Sequence, residues 1–265
     1  MLTELRGKGG RLCQAAAEGQ LRCPLMVRPT SEDVVTGNLC LVLRTLNSRW
    51  WLPDFLNRAL SVRRFHRQYH RGLKVEPWRN RPCYPRELLP WDEGSTQIDL
   101  TISWENPPTT VYVEMKYGSD VSPKGAGDDG THGFPSDQLI RNARVGLYEC
   151  GYFDQNPLFQ MPTRDFVLIL ISPTAGHPLI ARYRDLQSLK AAIPKSSRLK
   201  STPLSPFIGE LGYDDVAELL AENRRWLTRP ERLLVDQILE YLPFKLHQIR
   251  EIRPSGRLQS SLKLD

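Results

Sequence analysis

Two acids and a lysine, Asp99, Glu114 and Lys116, have the residue types and spacing best suited to chemistry in this chain. Hydrolysis of a phosphodiester needs a divalent cation that neutralises the developing charge and activates a water molecule. Hard cations such as Mg²⁺ prefer oxygen ligands, commonly two carboxylates. Asp99 and Glu114 are therefore candidate metal ligands. Lys116 is a candidate for orienting or deprotonating the water while countering charge on the phosphate.

The hydrophobic pattern around these residues predicts a β-hairpin. Residues 96–104 and 110–117 alternate between apolar and polar side chains, as half-buried strands do. The segment between them contains an Asn and two Pro residues and is typical of a turn. We expect Trp104 to lie opposite Thr109, which fixes the register of the hairpin.

This register places Asp99 directly across from Glu114, with the two Cβ atoms roughly 5 Å apart. Lys116 shares the face of Glu114, because side chains two residues apart in a strand point the same way. Helices usually cover such a sheet, so burying three charges together is costly unless they are used. The alternative is that this face is the solvated side of a hairpin, where Lys116 forms surface ion pairs with the acids.

A helix before the hairpin supplies a third carboxylate. Thr30 or Ser31 can cap a helix that runs to about Leu46, and Glu32 places negative charge in its first turn. The apolar residues of this helix form a core-facing stripe, and Glu32 lies on the same face, three residues before the stripe begins. We therefore expect the Glu32 carboxylate to point inward.

The order of these residues resembles the D…(D/E)xK motif of the PD-(D/E)xK nuclease superfamily. Asp99, a turn, and then Glu114-Met115-Lys116 after an apolar strand match the motif, with Ile98 where the family name has Pro. The acid in the first core helix and a later helix that begins with Gln138 also follow the family order. The likeness covers about residues 31–171.

The resemblance implies roles for the site residues. One or two Mg²⁺ ions, or Mn²⁺ in their place, would be held by Glu32, Asp99, Glu114 and the carbonyl oxygen of Met115. Lys116 would assist the attacking water, and Gln138 would help to position the site. Asn142, four residues after Gln138, stands where the RecB-like branch of the family has Tyr.

The resemblance also implies an α/β fold with a restriction-endonuclease-like core, in which helices flank a central mixed sheet of about four or five strands. We expect the helix that ends near Leu46 on one side of the sheet and a helix capped by Ser136 on the other. A buried strand is predicted at 166–171, and the segment 77–90 is predicted to be irregular. Further helices are predicted at 56–70, 181–192, 214–227 and 231–247.

The chain is expected to hold one nuclease domain, residues 29–249, with helical additions. Residues 1–28 are expected to form an N-terminal arm, and residues 250–265 a flexible basic tail. The five cysteines form no C-x-x-C pair, which argues against a disulfide framework and a zinc site. The first residues lack the apolar core of a secretory signal and no apolar run could span a membrane, so a cytoplasmic location is expected.

Basic residues are candidates for contact with nucleic acid, since the formal net charge is +6. Between positions 58 and 86 they are interleaved with aromatic residues, as on a surface that follows a phosphate backbone. The candidates in this segment and on the helix after Ser136 are Arg63, Arg64, Arg67, Arg141 and Arg144. The alternative is that they belong to ordinary solvated helix faces.

Other features are interpreted as structural. His132 lies in a Gly-rich loop and is more typical of a loop surface than of a phosphate contact. The loop acids match no calcium-binding pattern and are interpreted as solvated; they are Asp120, Asp128 and Asp129. The tryptophans interpreted as packing residues rather than base-stacking platforms are Trp50, Trp51 and Trp226.

The expected function is metal-dependent cleavage of double-stranded DNA. Residues 29–36 also resemble nucleases of bacterial anti-phage defence operons, which implies an effector subunit of a defence complex. An uncontrolled nuclease would endanger its host, so control by a protein partner, such as an ATPase sensor, or by homo-oligomerisation is expected. The alternatives are a nuclease fold that has lost catalysis and serves in nucleic-acid binding or assembly, and a nuclease directed at RNA.

Overall fold

The computed structural model describes residues 32–62, 64–83, 86–117, 132–154 and 162–252. The strands in these ranges are β1 (Lys74–Arg81), β2 (Thr96–Glu105), β3 (Pro108–Met115), β4 (Asp165–Ser172) and β5 (Ile208–Gly212). The α-helices in them are α1 (Glu32–Thr45), α2 (Ser48–Leu60), α3 (Gln138–Glu149), α4 (Pro178–Arg184), α5 (Leu186–Ala192), α6 (Tyr213–Asn223) and α7 (Arg229–Ile252). Across these ranges, no helix has the length and apolar composition needed to cross a membrane.

Several expectations concern residues outside the described ranges. They are the N-terminal arm at 1–28, the cap at Thr30 or Ser31, the candidate contact Arg63, and the loop acids Asp120, Asp128 and Asp129. The predicted tail is described only where α7 extends to Ile252, three residues past the expected domain boundary at 249.

The five strands form one mixed sheet in the order β1-β2-β3-β4-β5. The β1–β2 and β2–β3 pairs are antiparallel, whereas the β3–β4 and β4–β5 pairs are parallel. The predicted hairpin and its register are confirmed, because Trp104 pairs with Thr109 and Leu100 with Val113. The alternating pattern fixes this register, since a slip by one residue would move every side chain to the opposite face.

Helices cover both faces of the sheet. One core packs α1, α2, α6 and α7 against side chains such as Leu100, Val113 and Ile169. A second core packs α3, α4 and α5 against side chains such as Tyr112 and Leu168 on the other face. The expected placement of α1 and α3 on opposite sides of a mixed sheet is therefore confirmed.

Helix α3 approaches the sheet closely at Gly146. A Cβ atom at this position would lie 2.1 Å from ring carbons of Phe166 on β4, a separation that real side chains do not adopt. Glycine therefore lets α3 come close enough for its inner face to reach the ends of β2 and β3.

The boundaries of some helices differ from expectation. The helix predicted at 56–70 is α2, which begins earlier because Asn47 caps it by accepting from Arg49 N at 3.1 Å. It ends at Leu60, and Ser61 has a positive φ of 57°. The helix predicted at 181–192 is two helices, because Asp185 caps α5. Asp137, rather than Ser136, caps α3 by accepting from Ile140 N at 3.0 Å.

Two edge strands were not predicted. Strand β1 occupies part of the segment expected to be irregular, and it contains Pro77. An edge strand tolerates Pro, because one side of its backbone has no neighbour to bond. Strand β5 is short and contains Gly209 and Gly212, which weaken a strand pattern.

The β1–β2 ladder is interrupted beside the candidate site. Trp78, the β1 residue that falls opposite Asp99, is missing from the ladder and has a positive φ of 52°. Ile98 packs in the core under α3, whereas Leu100 packs in the core under α1. The prediction that Ile98 and Leu100 share a face is wrong, because the left-handed backbone at Trp78 breaks the regular pleat here.

Candidate active site

Asp99 and Glu114 lie on adjacent strands at the same end of the sheet. The ladder between β2 and β3 ends at the Leu100–Val113 pair, and Asp99 and Glu114 are the next residues beyond that pair on β2 and β3. Both side chains are fully buried. The Asp99 carboxylate accepts a hydrogen bond at Oδ2 from the backbone N–H of Met115, at 2.9 Å. The structure therefore brings together the two acids that the sequence placed opposite each other.

Lys116 extends from the end of β3 into the same cluster. Its backbone N–H donates to Ile171 O at 2.8 Å, which continues the pairing with β4 and fixes the side-chain direction. The buried ammonium donates to Glu114 Oε1 at 2.6 Å and lies 3.5 Å from Glu32 Oε1. The surface ion pair considered as the alternative is excluded by this burial, although the pairing itself is present.

Glu32 reaches the cluster from helix α1, which covers the face of the sheet opposite to α3. It is the first residue of α1, and its Oε2 accepts from the backbone N–H of Tyr117 at 3.2 Å. The inward direction predicted from the helical stripe is therefore confirmed. Asn142 of α3 contacts Glu114, and Glu32 of α1 contacts Lys116. The cluster therefore lies at the end of the sheet, between the helical layers that cover its two faces.

Asn142 is a site neighbour whose part the sequence did not reveal. It lies one turn into α3, is fully buried, and donates from Nδ2 to Glu114 Oε2 at 2.9 Å. Its Oδ1 accepts from Thr96 Oγ1 at 3.1 Å, so the amide is held at both ends. The signal that could have found it is its place four residues after Gln138, at the position where the RecB-like branch of the family has Tyr.

Gln138 lies one turn before Asn142 on the same helix. It is partly exposed at the first position of α3, and within the described ranges its side chain makes no hydrogen bond. Asn142, one turn later, makes the contact with Glu114 instead. A positioning role for Gln138 stays a prediction.

Two tyrosines hold the backbone around Lys116. Tyr213, at the start of α6, donates from its hydroxyl to Lys116 O at 2.8 Å. Tyr117 donates to Lys245 O of α7 at 3.1 Å, and its ring stacks with that of Tyr213 at 6.4 Å between centroids. These contacts tie two C-terminal helices to the site, which the sequence gave no way to foresee.

Among the described residues, the cluster gathers more formal acids than bases. Glu32, Asp99 and Glu114 are three carboxylates, and the Lys116 ammonium interacts with all three. Burial by itself lowers the pKa of Lys116, but the charges of Glu114, Glu32 and Asp99 outweigh that effect and raise it above its ordinary value. Lys116 is therefore a cation at neutral pH among three formal carboxylates.

The fit of this cluster to a metal ion is partial. Carboxylate oxygens suit Mg²⁺, but among the described residues no group of three or more metal-ligating side chains is arranged to hold an ion. Glu114 uses one oxygen for Lys116 and the other for Asn142. A cation would therefore have to displace the ammonium from Glu114. Met115 lies between the two residues, and its carbonyl oxygen stays a predicted ligand.

The arginines predicted on α3 are not exposed. Arg141 and Arg144 are buried, and both pair with Glu93, at 2.7 Å from Arg141 Nε to Glu93 Oε1. Arg144 also lies over the ring of Trp91, 5.9 Å from its centroid. The expectation that they lie open for contact with a phosphate backbone is wrong, because Glu93 from the segment before β2 folds over this face of α3.

The other arginine candidates lie far from the cluster in the segment after α2, which is not helical. Arg64 is exposed, and its Nη1 donates to Ser61 O at 3.3 Å. Arg67 is exposed and pairs with Asp54 at 3.3 Å. His132 is exposed and stacks on Trp91 at 5.9 Å between centroids, in keeping with a loop-surface position.

Comparison of the chain with protein-family models, with curated proteins and with solved structures gives no match.

Proposed function

We propose that this chain is a divalent-metal-dependent phosphodiesterase of the PD-(D/E)xK kind that cuts DNA. The observation that carries the proposal is the convergence of Asp99, Glu114, Lys116 and Glu32 from two strands and a helix into one buried cluster. Asp99 and Glu114 are fully enclosed, yet the acids outnumber the bases. Folding into such an arrangement is costly, which favours a functional reason for it.

A divalent cation fits the chemistry of the cluster. Three carboxylates converge around one ammonium, and carboxylate oxygens are ligands that Mg²⁺ and Mn²⁺ prefer. When bound, such an ion would stabilise charge on the phosphate and activate a water molecule. Asp99 and Glu114 are the residues that would hold it, with Glu32 close enough to contribute directly or through water.

The chain's own residues would position the phosphate and counter its charge. The raised pKa of Lys116 keeps the ammonium protonated, so it suits neutralisation of phosphate oxygens better than proton abstraction. Asn142 and Thr96 fix the Glu114 carboxylate in one orientation. Met115 N–H does the same for Asp99. Such fixed orientation is what positions a reacting group without rearrangement.

The fold supports the same proposal. A mixed sheet with helices on both faces, a hairpin that carries the acids, and α3 packed behind it are the parts expected of a restriction-endonuclease-like core. Helix α3 also contacts the Glu114 carboxylate through Asn142. We therefore propose that core architecture for this chain.

Double-stranded DNA is the proposed substrate, and the net charge of +6 suits a polyanion. The proposal extends to a cytoplasmic effector of a bacterial anti-phage complex that is held inactive until a partner, such as an ATPase sensor, or self-association activates it. Cells that tolerate strong expression of this chain alone, with the purified protein inert until partner is added, would support that control. Toxicity of the chain alone would contradict it.

The test is cleavage of plasmid DNA by the purified chain in Mg²⁺ or Mn²⁺. We expect Asp99→Asn, Glu114→Gln and Lys116→Met each to lower the rate by about 100-fold or more. The matched control is Glu76→Gln, a partly exposed acid on β1 whose Oε1 lies 3.8 Å from Arg79 Nη1. Equal cutting by all the variants would overturn the proposal, and a panel with RNA substrates would separate DNA from RNA cleavage.

A second candidate is a nuclease fold that serves in nucleic-acid binding or assembly without catalysis. The observation that favours it is the direct contact of Lys116 with Glu114 at 2.6 Å, which occupies a carboxylate oxygen that a metal would need. Such a module would keep its DNA affinity in EDTA. Titration of such a module with Mg²⁺ would give no binding heat that depends on Asp99. Titration of the enzyme would give a binding heat that disappears in Asp99→Asn.

A further inference from the structure

Trp50 and Trp226 stack on each other at the surface of the fold, with Trp50 partly buried against the core and Trp226 more exposed. Trp50 lies in the first turn of α2, and Trp226 ends the short 3₁₀ turn Arg224–Trp226. Their ring centroids are 5.3 Å apart and their planes differ by 12°. Trp226 is 45% exposed, whereas the neighbouring Trp51 is fully buried. The interpretation of Trp226 as a packing residue stays a prediction, and its ring both packs against Trp50 and reaches solvent.

Arginine side chains surround this stack. The guanidinium carbon of Arg49 lies 5.1 Å from the centroid of Trp50, and that of Arg225 lies 4.9 Å from the centroid of Trp226. Arg67 lies over both rings, at 5.3 Å from Trp50 and 5.9 Å from Trp226. We call these five residues the Trp–Arg surface.

Part of the Trp–Arg surface is held in place from behind. Arg67 donates to Asp54 Oδ2 at 3.3 Å and to Asn223 Oδ1 at 3.2 Å. Asn223 is buried and donates in turn to Asp54 at 2.8 Å. The guanidinium that touches both rings is therefore fixed and its charge is neutralised by Asp54.

Arg49 and Arg225, unlike Arg67, are not held by a carboxylate among the described residues. Throughout the described ranges, neither Arg49 nor Arg225 has an ion pair or a side-chain hydrogen bond, and both are exposed. Stacking on an aromatic ring leaves the in-plane N–H groups of a guanidinium free to point outward. The Trp–Arg surface thus presents two uncompensated cations beside an exposed aromatic ring.

This surface is separate from the carboxylate cluster. Helix α1 begins at Glu32 in the cluster and runs 14 residues to Thr45, immediately before α2. A helix of this length spans about 20 Å. Nucleic acid bound at the Trp–Arg surface therefore need not touch the acids, and its binding can be measured without hydrolysis.

We propose that the Trp–Arg surface binds single-stranded nucleic acid. An unpaired base can stack against Trp226, while Arg225 moves from the ring to a neighbouring phosphate and Arg49 pairs with a second one. A duplex hides its base faces and would use only the cations. An acidic peptide would likewise use the cations but has no flat ring for the tryptophans. Bases and phosphates together match both chemical features of the surface.

The experiment is fluorescence anisotropy of a labelled oligothymidylate of about 10 nucleotides, titrated with the full chain in EDTA at low salt. We expect Trp226→Ala to weaken binding about tenfold, and Trp226→Tyr to retain most of the affinity, because a smaller ring still stacks. Arg49→Ala and Arg225→Ala should each reduce the slope of log affinity against log salt by about 0.7.

The matched control is Arg182→Ala. Arg182 is also exposed and lies over a ring, 5.7 Å from the centroid of Tyr183, but it is on α4 behind the other face of the sheet. Its substitution should leave oligothymidylate affinity within twofold of the unsubstituted chain, in the rough range expected of one distant surface charge. Equal weakening by Arg182→Ala and Arg225→Ala would overturn the proposal, because it would indicate diffuse attraction.

Competitors decide the kind of ligand. A duplex of the same length, or a glutamate-rich peptide, should compete at least about tenfold less well than unlabelled oligothymidylate. Equal competition by the duplex would overturn the single-strand assignment, and equal competition by the peptide would indicate a protein partner instead. If Trp226→Ala fails to fold, the exposed Arg225→Ala carries the same test. Since the assay contains EDTA, failure of the proposed hydrolysis would not affect it.

Discussion

Two buried charge clusters contact helix α3, and their charge excess has opposite sign. In the first, Asn142 bonds Glu114, and three carboxylates surround the single ammonium of Lys116. In the second, Arg141 and Arg144 share the single carboxylate of Glu93. Helix α3 therefore contacts one cluster in which formal acids outnumber bases and another in which bases outnumber acids.

The partners of the second cluster indicate a structural role. Glu93 also accepts from Cys83 Sγ at 3.0 Å, and Arg144 lies over Trp91, so the cluster ties the segment before β2 to α3. Guanidinium charge is spread over a planar group that stacks on aromatic rings, and one carboxylate can serve two such groups. The acidic cluster instead gathers three carboxylates around one ammonium, and a hard cation binds carboxylate oxygens, so a bound cation is proposed there.

The largest expected effect on stability comes from breaking the basic cluster. Arg144→Ala leaves Glu93 buried with one partner fewer, so we expect the free energy of unfolding to fall by about 3–5 kcal/mol. Urea denaturation followed by circular dichroism measures this change, with the exposed Arg182→Ala as the control. A loss below about 1 kcal/mol would show that the pair is no stronger than a surface ion pair and would remove the contrast between the two clusters.

The acidic cluster should respond to Mg²⁺ where the basic cluster does not. Lys116→Met removes the ammonium and leaves three carboxylates, so in EDTA we expect a loss of about 3 kcal/mol in the free energy of unfolding. Added Mg²⁺ should then raise the melting temperature of Lys116→Met more than that of the unsubstituted chain, because a ligand that binds only the folded state stabilises it.

The Arg144→Ala variant serves as the counterpart in that measurement. Its melting temperature should shift with Mg²⁺ by no more than that of the unsubstituted chain. If Mg²⁺ shifted the melting temperature of Lys116→Met by no more than that of Arg144→Ala, the acidic cluster would not be a cation site.

Asn142 offers a finer test of the acidic cluster. Asn142→Ala removes the partner of a buried carboxylate oxygen and should cost about 1–3 kcal/mol in the free energy of unfolding. Asn142→Asp should cost more in EDTA, because it places a fourth carboxylate against Glu114, and should recover part of the loss in Mg²⁺. Thr96→Val, which loses only the outer hydrogen bond, is the mild control. Equal effects of Ala and Asp would argue against a negative cluster.

The smallest expected effect concerns a buried ionisable group that lies in neither cluster. Burial lowers the pKa of His70, which lies 3.1 Å from Ser48 Oγ and packs edge-on against Trp104. Below about pH 6.5 the unfolded chain takes up a proton that the folded chain resists, so stability should decline as the pH falls through and below that value. Melting temperatures between pH 7.5 and 5.5 measure this, and His70→Phe should flatten that part of the profile. An unchanged slope in His70→Phe would assign the decline to other groups.

The sequence was sufficient for the hairpin and for the acids on it. A pattern of period two and a turn with Asn and Pro determine the pairing of Trp104 with Thr109, and the ladder runs from there to Leu100–Val113, one residue short of Asp99 and Glu114. The inward direction of Glu32 followed from helical periodicity in the same way. These predictions succeeded because they needed only local patterns.

The contacts that define each cluster could not be read from local patterns. Asn142 meets Glu114 only because α3 crosses the ends of the strands, and Glu93 covers Arg144 from a segment about 50 residues earlier in the chain. A helical wheel shows both arginines as ordinary polar positions and gives no sign of a carboxylate beside them. The edge strand β1 was missed for a related reason, since Pro77 is tolerated only at a sheet edge that the sequence does not reveal.

The most direct measurement is anomalous diffraction from crystals of the chain grown with Mn²⁺. The account predicts a peak bound by both Asp99 and Glu114, with the Lys116 ammonium moved away from Glu114 Oε1, which it contacts at 2.6 Å in the structure. Peaks confined to surface carboxylates, with that lysine contact unchanged, would contradict the proposed metal site and the hydrolytic function built on it.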